Sequence, residues 1–348
     1  MASSSSPSTS SSRDIPRRAA VLVTGEELLR GVIADVNGSA LAASFSDLGL
    51  IVTAVSVVGD DAGVIASEIA RLSRAGNSVI AVSGGLGGTH DDCTMEAVAA
   101  ASGRPLRFHD AAFRLSLAAY QAFSGRVSAT SRAMAEKQAH LPEGATMLAP
   151  IGTAPGCLVD ADGALLCVLP GPPWECEAMW RKARSTPPLR DLLAAPAAGE
   201  TLDVRIRNAI ESEFVESFAT VPEERRRGVR VGVCARDGEL EVTLRDESGT
   251  PGRLDRISEA LEATFGPRLY SRHGAGPAES LLEALAERGE TISVAESCTG
   301  GGVGALLTDV PGASSAFLGG VIAYGNSVKE TLLGVPGAIR DAHGAVSQ

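Results

Sequence analysis

Three short runs rich in apolar and β-branched residues, Ala19–Thr24, Ile51–Val58 and Ser78–Ser83, alternate with two segments that read as helices, Asn37–Leu48 and Ala62–Arg74. That alternation constrains the fold more than any other feature of the chain. Parallel strands cannot be joined by a tight turn, and a helical crossover of about a dozen residues is the usual connection. The pattern predicts βαβ units and a mainly parallel sheet in an α/β domain. It continues beyond Ser83: Gly84-Gly85-Leu86-Gly87-Gly88 ends the third strand and Thr94–Ser102 resumes helical spacing. A further strand near Gly163–Leu169 then runs into the turn Pro170-Gly171-Pro172-Pro173.

With 348 residues the chain is too long for one ordinary core, which predicts two or three domains. We place them at 19–185, 201–272 and 277–348, with an Ala-, Pro- and Leu-rich boundary at 183–200. The middle segment carries strands at Leu202–Ile206, Val229–Cys234 and Glu239–Arg245 and a helix at Arg253–Phe265. After Gly274-Ala275-Gly276-Pro277 come a helix at Ala278–Arg288, a strand at Thr291–Ala295, a helix from Gly301 and a strand near Val321–Tyr324. Residues 2–12 are nearly all Ser, Pro and Thr, so residues 1–18 read as a disordered tail, with a transit peptide as the alternative.

A net charge of −11 excludes a general polyanion binder, and no specific nucleic-acid partner is expected. A small phosphorylated ligand stays open, because backbone amides can hold a phosphate without basic side chains. No apolar run reaches the roughly 20 residues of a spanning helix, so no membrane segment is expected. The six cysteines form no CxxC pair and have no nearby His at zinc spacing. They read as reduced thiols of a cytoplasmic protein.

The first chemical motif is Ser83-Gly84-Gly85-Leu86-Gly87-Gly88-Thr89-His90-Asp91-Asp92-Cys93-Thr94, between a strand and a helix. Gly84, Gly85 and Gly87 allow close approach of backbone to a phosphate, and Thr89 adds a hydroxyl. Asp91 and Asp92 are hard oxygen ligands suited to Mg²⁺ or K⁺. The plainer reading is a glycine turn with Asp91 or Asp92 capping the helix.

Further motifs sit around it in order: Gly25-Glu26-Glu27-Leu28-Leu29-Arg30-Gly31, Asp35-Val36-Asn37, Gly59-Asp60-Asp61, Gly152-Thr153-Ala154-Pro155-Gly156 and Leu169-Pro170-Gly171-Pro172-Pro173. With them the chain resembles the CinA family, whose N-terminal domain is similar to the three-layer MoaB/MogA molybdopterin-binding fold. The resemblance implies a metal-dependent ADP-ribose pyrophosphatase releasing AMP and ribose 5-phosphate, with Glu27 as a further metal candidate. It also implies a homodimer through this domain. The family usually has Pro where Gly88 stands and Thr where Glu26 stands. Gly88 is expected to loosen the loop by enlarging the unfolded ensemble. Glu26 is expected to weaken anion binding or recruit a cation.

Residues 201–272 resemble the family's small KH-like linking domain, yet contain no basic GXXG loop of the kind that clamps nucleic-acid phosphates. We read this segment as structural and its Arg225-Arg226-Arg227 run as a solvated turn.

The third motif, Ala295-Glu296-Ser297-Cys298-Thr299-Gly300-Gly301-Gly302, again joins a strand to a helix through small residues. Ser297 would expose its hydroxyl, and the turn from Thr299 through Gly300 and Gly301 would offer amides to an oxyanion or phosphate. A serine needs a base, and a buried Lys329 can serve where an arginine cannot. Only three of the 31 Lys and Arg residues are lysine, which favours a specific role for Lys329. The segment resembles the first half of the family's PncC-type nicotinamide mononucleotide deamidase domain, through Thr308-Asp309-Val310-Pro311-Gly312, Gly319-Gly320-Val321-Ile322-Ala323-Tyr324, Asn326 and Lys329. By resemblance, Ser297 is the nucleophile, Lys329 the base, Tyr324 assists proton transfer and Cys298 packs beside the nucleophile. The family's domain continues past the length present here, so the pocket is expected to be incomplete. The alternative to an enzyme is a non-catalytic nucleotide- or molybdopterin-binding protein.

Overall fold

The computed structural model describes residues 17–194, 200–246 and 250–344, so residues 1–16 of the expected tail lie outside it. Strand β1 (Arg18–Thr24) carries apolar residues on both sides of its pleat. Ala20 and Leu22 enter one core, and Ala19, Val21 and Val23 enter another. A strand that is apolar on both faces must be covered on both, which is why the sheet is flanked by helices.

β1 is joined by β2 (Ile51–Val58), β3 (Val79–Ser83), β6 (Thr146–Leu148), β7 (Gly156–Ala161) and β8 (Ala164–Leu169) in the order β2-β1-β3-β8-β7-β6. β4 (Leu106–Phe108) and β5 (His140–Pro142) form a separate antiparallel pair. β2, β1, β3 and β8 are parallel, and β7 runs antiparallel to both neighbours. The mainly parallel α/β expectation therefore holds.

Helices Ala62–Arg74 and Thr94–Ser102 cover one face with Ile65, Ile69, Leu72 and Val98. Helices Asn37–Asp47 and Pro173–Ala183 cover the other with Leu41, Phe45, Met179 and Trp180. Phe45 meets Trp180 edge-on at 5.1 Å, and the Trp180 indole N–H donates to Ser44 Oγ at 2.8 Å. Two helices not expected from sequence, Asp110–Ser124 and Ala129–Gln138, follow β4.

The chain divides into two compact units, Met1–Ala198 and Gly199–Gln348. The first continues past the expected end at 185, because helix Leu189–Leu193 inserts a fully buried Leu189 into the core.

In the second unit, β9 (Glu200–Arg207), β10 (Val229–Arg236), β11 (Glu239–Asp246) and β12 (Leu269–Ser271) form an antiparallel sheet ordered β10-β11-β9-β12. Helices Glu211–Thr220 and Arg253–Phe265 supply Phe214, Leu261 and Phe265 to its core. β13 (Ile292–Glu296) and β14 (Phe317–Ile322) form a parallel pair over a small core of Leu282, Leu307, Ala313 and Ala316. Leu318 and Ile322 of this pair are exposed. The strand expected near Val321–Tyr324 lies earlier, at Phe317–Ile322. Its partner β13 stops at Glu296, opposite Ile322, so Ala323 and Tyr324 fall past the last paired position.

Candidate functional site

Parallel strands β1, β3 and β8 deliver their C-terminal ends to one side of the first unit, the side on which open α/β sheets bind ligands. The Gly84 amide donates to Leu169 O at 3.1 Å and fastens the glycine loop to the end of β8. Gly84 and Gly85 have φ of +111° and +63°. A Cβ at Gly84 would stand 2.4 Å from Thr24 O, and one at Gly85 would stand 2.3 Å from Thr94 Oγ1. No side chain fits either position, so bare backbone faces the end of the sheet.

Asp92 neither caps the following helix nor projects freely. Its Oδ2 accepts from the Thr89 amide at 2.9 Å and from Thr89 Oγ1 at 2.6 Å, closing the loop on itself. Asp91 is exposed. Thr94 is fully buried, 3.4 Å from Thr24 Oγ1, and gives no cap bond.

Lys137 is a residue that sequence reasoning missed. Its ammonium donates to the carbonyls of Thr89 and Asp92, the latter at 2.6 Å. Its neighbour Gln138 donates to Leu86 O at 3.2 Å and to Thr153 Oγ1 at 3.3 Å. Helix Ala129–Gln138 thus grips the loop from its far side. Gly85, Gly87, Asp92, Lys137 and Gln138 line a cavity of about 110 Å³. The scarcity of lysine that singled out Lys329 would have singled out Lys137 equally.

The carboxylates gather near Asp60, whose Oδ2 accepts the Glu26 amide at 2.9 Å. Burial pushes the Asp60 carboxyl up, the Glu26 amide opposes this, and the charges of Glu27, Asp91 and Asp92 push it further up. The three metal candidates therefore act on one region. Among the described residues, no three His, Cys, Asp or Glu side chains converge closely enough to hold a metal ion by themselves. Glu27 also lines a small cavity with Asp35, Asn37 and Ser83. There Asn37 Nδ2 donates to Ser83 Oγ at 2.9 Å and to Gly171 O at 2.7 Å.

Gly88 also has a packing role in the folded unit. A Cβ there would lie 2.3 Å from the Met134 Cβ and 2.8 Å from its Cα. The glycine lets the loop press against helix Ala129–Gln138.

In the second unit, Ser297 follows β13 directly and is exposed. Ser297 and Lys329 line one cavity of about 200 Å³ with Ala295, Ala323, Leu333 and Arg340. The volume is below the roughly 300–1,000 Å³ of ordinary ligand clefts. Lys329 is half-buried rather than buried, and its amine donates to Ala323 O at 2.6 Å and Tyr324 O at 2.8 Å. Tyr324 takes part through its carbonyl, while its ring is 73% exposed. Cys298 is exposed too, not packed.

Two of the amides assigned to an oxyanion or phosphate, those of Gly300 and Gly301, are already in use. Gly300 N donates to Ser297 O, and Gly301, Val303 and Gly304 donate to the Glu296 carboxylate at 2.8–3.0 Å. Thr299 adds a side-chain hydrogen bond to the same carboxylate. Thr299, Gly300 and Gly301 therefore build the turn around Glu296, a buried acid that sequence reasoning passed over.

All six cysteines are free; Cys157, Cys167 and Cys176 are buried, and burial pushes the Cys157 thiol up to about 12. No helix among the described residues is long and apolar enough to cross a membrane.

Residues 20–190 match the family described as a probable molybdopterin binding domain, and residues 275–348 match the CinA C-terminal domain. A CinA-like protein of Mycobacterium tuberculosis is 35% identical over 345 residues, covering 96% of this chain and 79% of that protein. One from Mycobacterium avium is 36% identical over 350 residues, with the same coverage. A crystal structure of CinA, of unknown function, from Thermoplasma acidophilum is 29% identical; it covers 49% of this chain and 97% of that one, with a TM-score of 0.43. With identity of this level along nearly its whole length and both domains matched in order, the chain belongs to the CinA-like family.

Proposed function

We propose that this protein hydrolyses pyridine-nucleotide metabolites, with ADP-ribose as the substrate of the first unit. The observation that carries the reading is the glycine loop at the end of the sheet, where no side chain fits at Gly84 or Gly85, with Glu27, Asp60, Asp91 and Asp92 close enough to interact. The donor set suits Mg²⁺ or K⁺ held by one or two carboxylates with the ligand's phosphate oxygens completing the shell, as is common for Mg²⁺. Such a cation supplies polarisation of the phosphoryl oxygens. The chain's own part is to receive the pyrophosphate against the uncovered loop at Gly85 and Gly87 and to orient water through Asp91, while the Gly84 amide and both Thr89 donors, engaged by Leu169 and Asp92, hold the loop in shape. Water oxygen bonds to phosphorus, the bridging P–O bond breaks, and AMP and ribose 5-phosphate leave.

Release of AMP from ADP-ribose, dependent on Mg²⁺ or K⁺ and lost in Asp91→Ala, tests this. Saturable binding of ADP-ribose without AMP release would instead support a non-catalytic nucleotide- or molybdopterin-binding protein.

A second reading is favoured by the shared cavity of Ser297 and Lys329. Ser297 Oγ attacks the carboxamide carbon of nicotinamide mononucleotide as Lys329 takes its proton. Ammonia then leaves, and water hydrolyses the acyl-serine to the carboxylate. The small cavity suits the nicotinamide ring rather than the whole nucleotide. Ammonia release that disappears in Ser297→Ala tests it. Self-association into a homodimer is supported by exposed Leu29, Val32, Ile33 and Val36 on the first unit. A cytoplasmic location is supported by six free thiols.

A further inference from the structure

Glu296 immediately precedes Ser297, yet its side chain turns inward and is 5% exposed. Its Oε2 accepts from the amides of Gly301 and Val303, each at 3.0 Å, and its Oε1 accepts from Gly304 N at 2.8 Å. Glycine makes the room: a Cβ at Gly304 would stand 3.3 Å from Oε1. A carboxylate so enclosed, with both oxygens engaged by backbone, is not placed to exchange protons with a substrate. Its backbone carbonyl has a separate role. It accepts Ala323 N at 2.7 Å, and Ala323 O in turn accepts the Lys329 amine at 2.6 Å.

We propose that Glu296 is a positioning residue for the Ser297 site. Its carboxylate holds the turn 297–304 in shape from within, while its carbonyl ties that turn through Ala323 to Lys329. The proposal rests on the amidohydrolase reading of Ser297 and Lys329. A glutamine keeps the length but presents an NH₂ where the amides need an acceptor, so it supports the turn in part. Alanine leaves three backbone donors with no acceptor.

The test uses the full chain as wild type, Glu296→Gln, Glu296→Ala and Ser297→Ala, each first checked for folding by its thermal transition. Three quantities are read: covalent labelling of Ser297 by a fluorophosphonate, ammonia release from nicotinamide mononucleotide, and amide exchange at Gly301, Val303 and Gly304. In folded Glu296→Ala, labelling is expected to slow roughly tenfold or more, as misplacement of a reacting group does. The loss in ammonia release falls on kcat with KM little changed, exchange at the three amides rises, and Glu296→Gln lies between. A folded Glu296→Ala that labels at the wild-type rate overturns the proposal. Wild type that labels at Ser297 but releases no ammonia overturns the amidohydrolase reading alone, and the labelling ratio still judges Glu296. Wild type that does neither overturns both.

Discussion

Gly88 lies directly against Met134, so close that a Cβ at position 88 would fall 2.3 Å from the Met134 Cβ. The nearest atoms belong to the main stem of a helical residue, not to the end of a flexible side chain, so the contact cannot be relieved by a rotamer change. Gly88→Ala and Gly88→Pro are each expected to destabilise the first unit by about 1–3 kcal/mol, the range for overpacking. Thermal denaturation measures this. An unchanged midpoint in both variants would mean that helix Ala129–Gln138 shifts away without cost.

Lys137 donates to two carbonyls of the glycine loop, at Thr89 and Asp92. Lys137→Met keeps the stem and removes the donor. It is expected to cost about 1–3 kcal/mol, the range for a lost charged hydrogen bond or an unsatisfied acceptor. Hydrogen exchange across residues 89–92 should rise, and AMP release should fall more than stability does. Unchanged exchange in this segment would refute the clamp.

Burial, with the charges of Glu27, Asp91 and Asp92 added to it, raises the Asp60 carboxyl above its ordinary value. For an acid raised on folding, the ionised form destabilises the fold. That cost is present above the folded pKa and vanishes as pH falls below the unfolded one. A cation bound to this region should relieve the cost at neutral pH. The thermal midpoint is therefore expected to rise with added Mg²⁺, and the rise should shrink in Asp91→Ala. A Mg²⁺ response identical in wild type and Asp91→Ala would remove Asp91 from the cation site.

Glu296 shows the opposite linkage. Its burial favours the protonated form, but hydrogen bonds from Thr299 and the amides of Gly304, Val303 and Gly301 outweigh this and hold the carboxyl below the ordinary value of 4.5. Its stabilising contribution is present above the unfolded pKa and is lost as pH falls through the folded one. Acid titration of the second unit should therefore show a stability loss below about pH 4.5 that is smaller in Glu296→Gln. Identical acid profiles would show that the carboxylate's charge does not support the turn.

The parallel α/β core was legible because β1, β2 and β3 are short runs rich in apolar and β-branched residues. Short elements were not. β6 spans only Thr146–Leu148, and its pairing with β7 depends on a tertiary partner rather than a local pattern. The glycine loop was found from Gly84 to Gly88, but the inward turn of Asp92 onto Thr89 and the reach of Lys137 are tertiary facts with no sequence period. At the serine site the same limit produced a misreading. The amides of Gly301 and its neighbours looked available, because nothing in the order of residues shows that Glu296 folds back beneath them.

The centre of the first sheet is the pairing of β3 with β8, in which Val79 faces Leu165. These strands are far apart in the chain, so β3 must wait through the synthesis of three helices and four short strands before its second edge is closed. A nascent chain released before Leu169 would leave β3, apolar from Val79 to Val82, with an open edge, which is a template for pairing with another molecule. Folding of this unit is therefore governed by a late, long-range closure rather than by its early helices. Shortened N-terminal fragments ending before β8 should aggregate even though they contain the entire glycine loop.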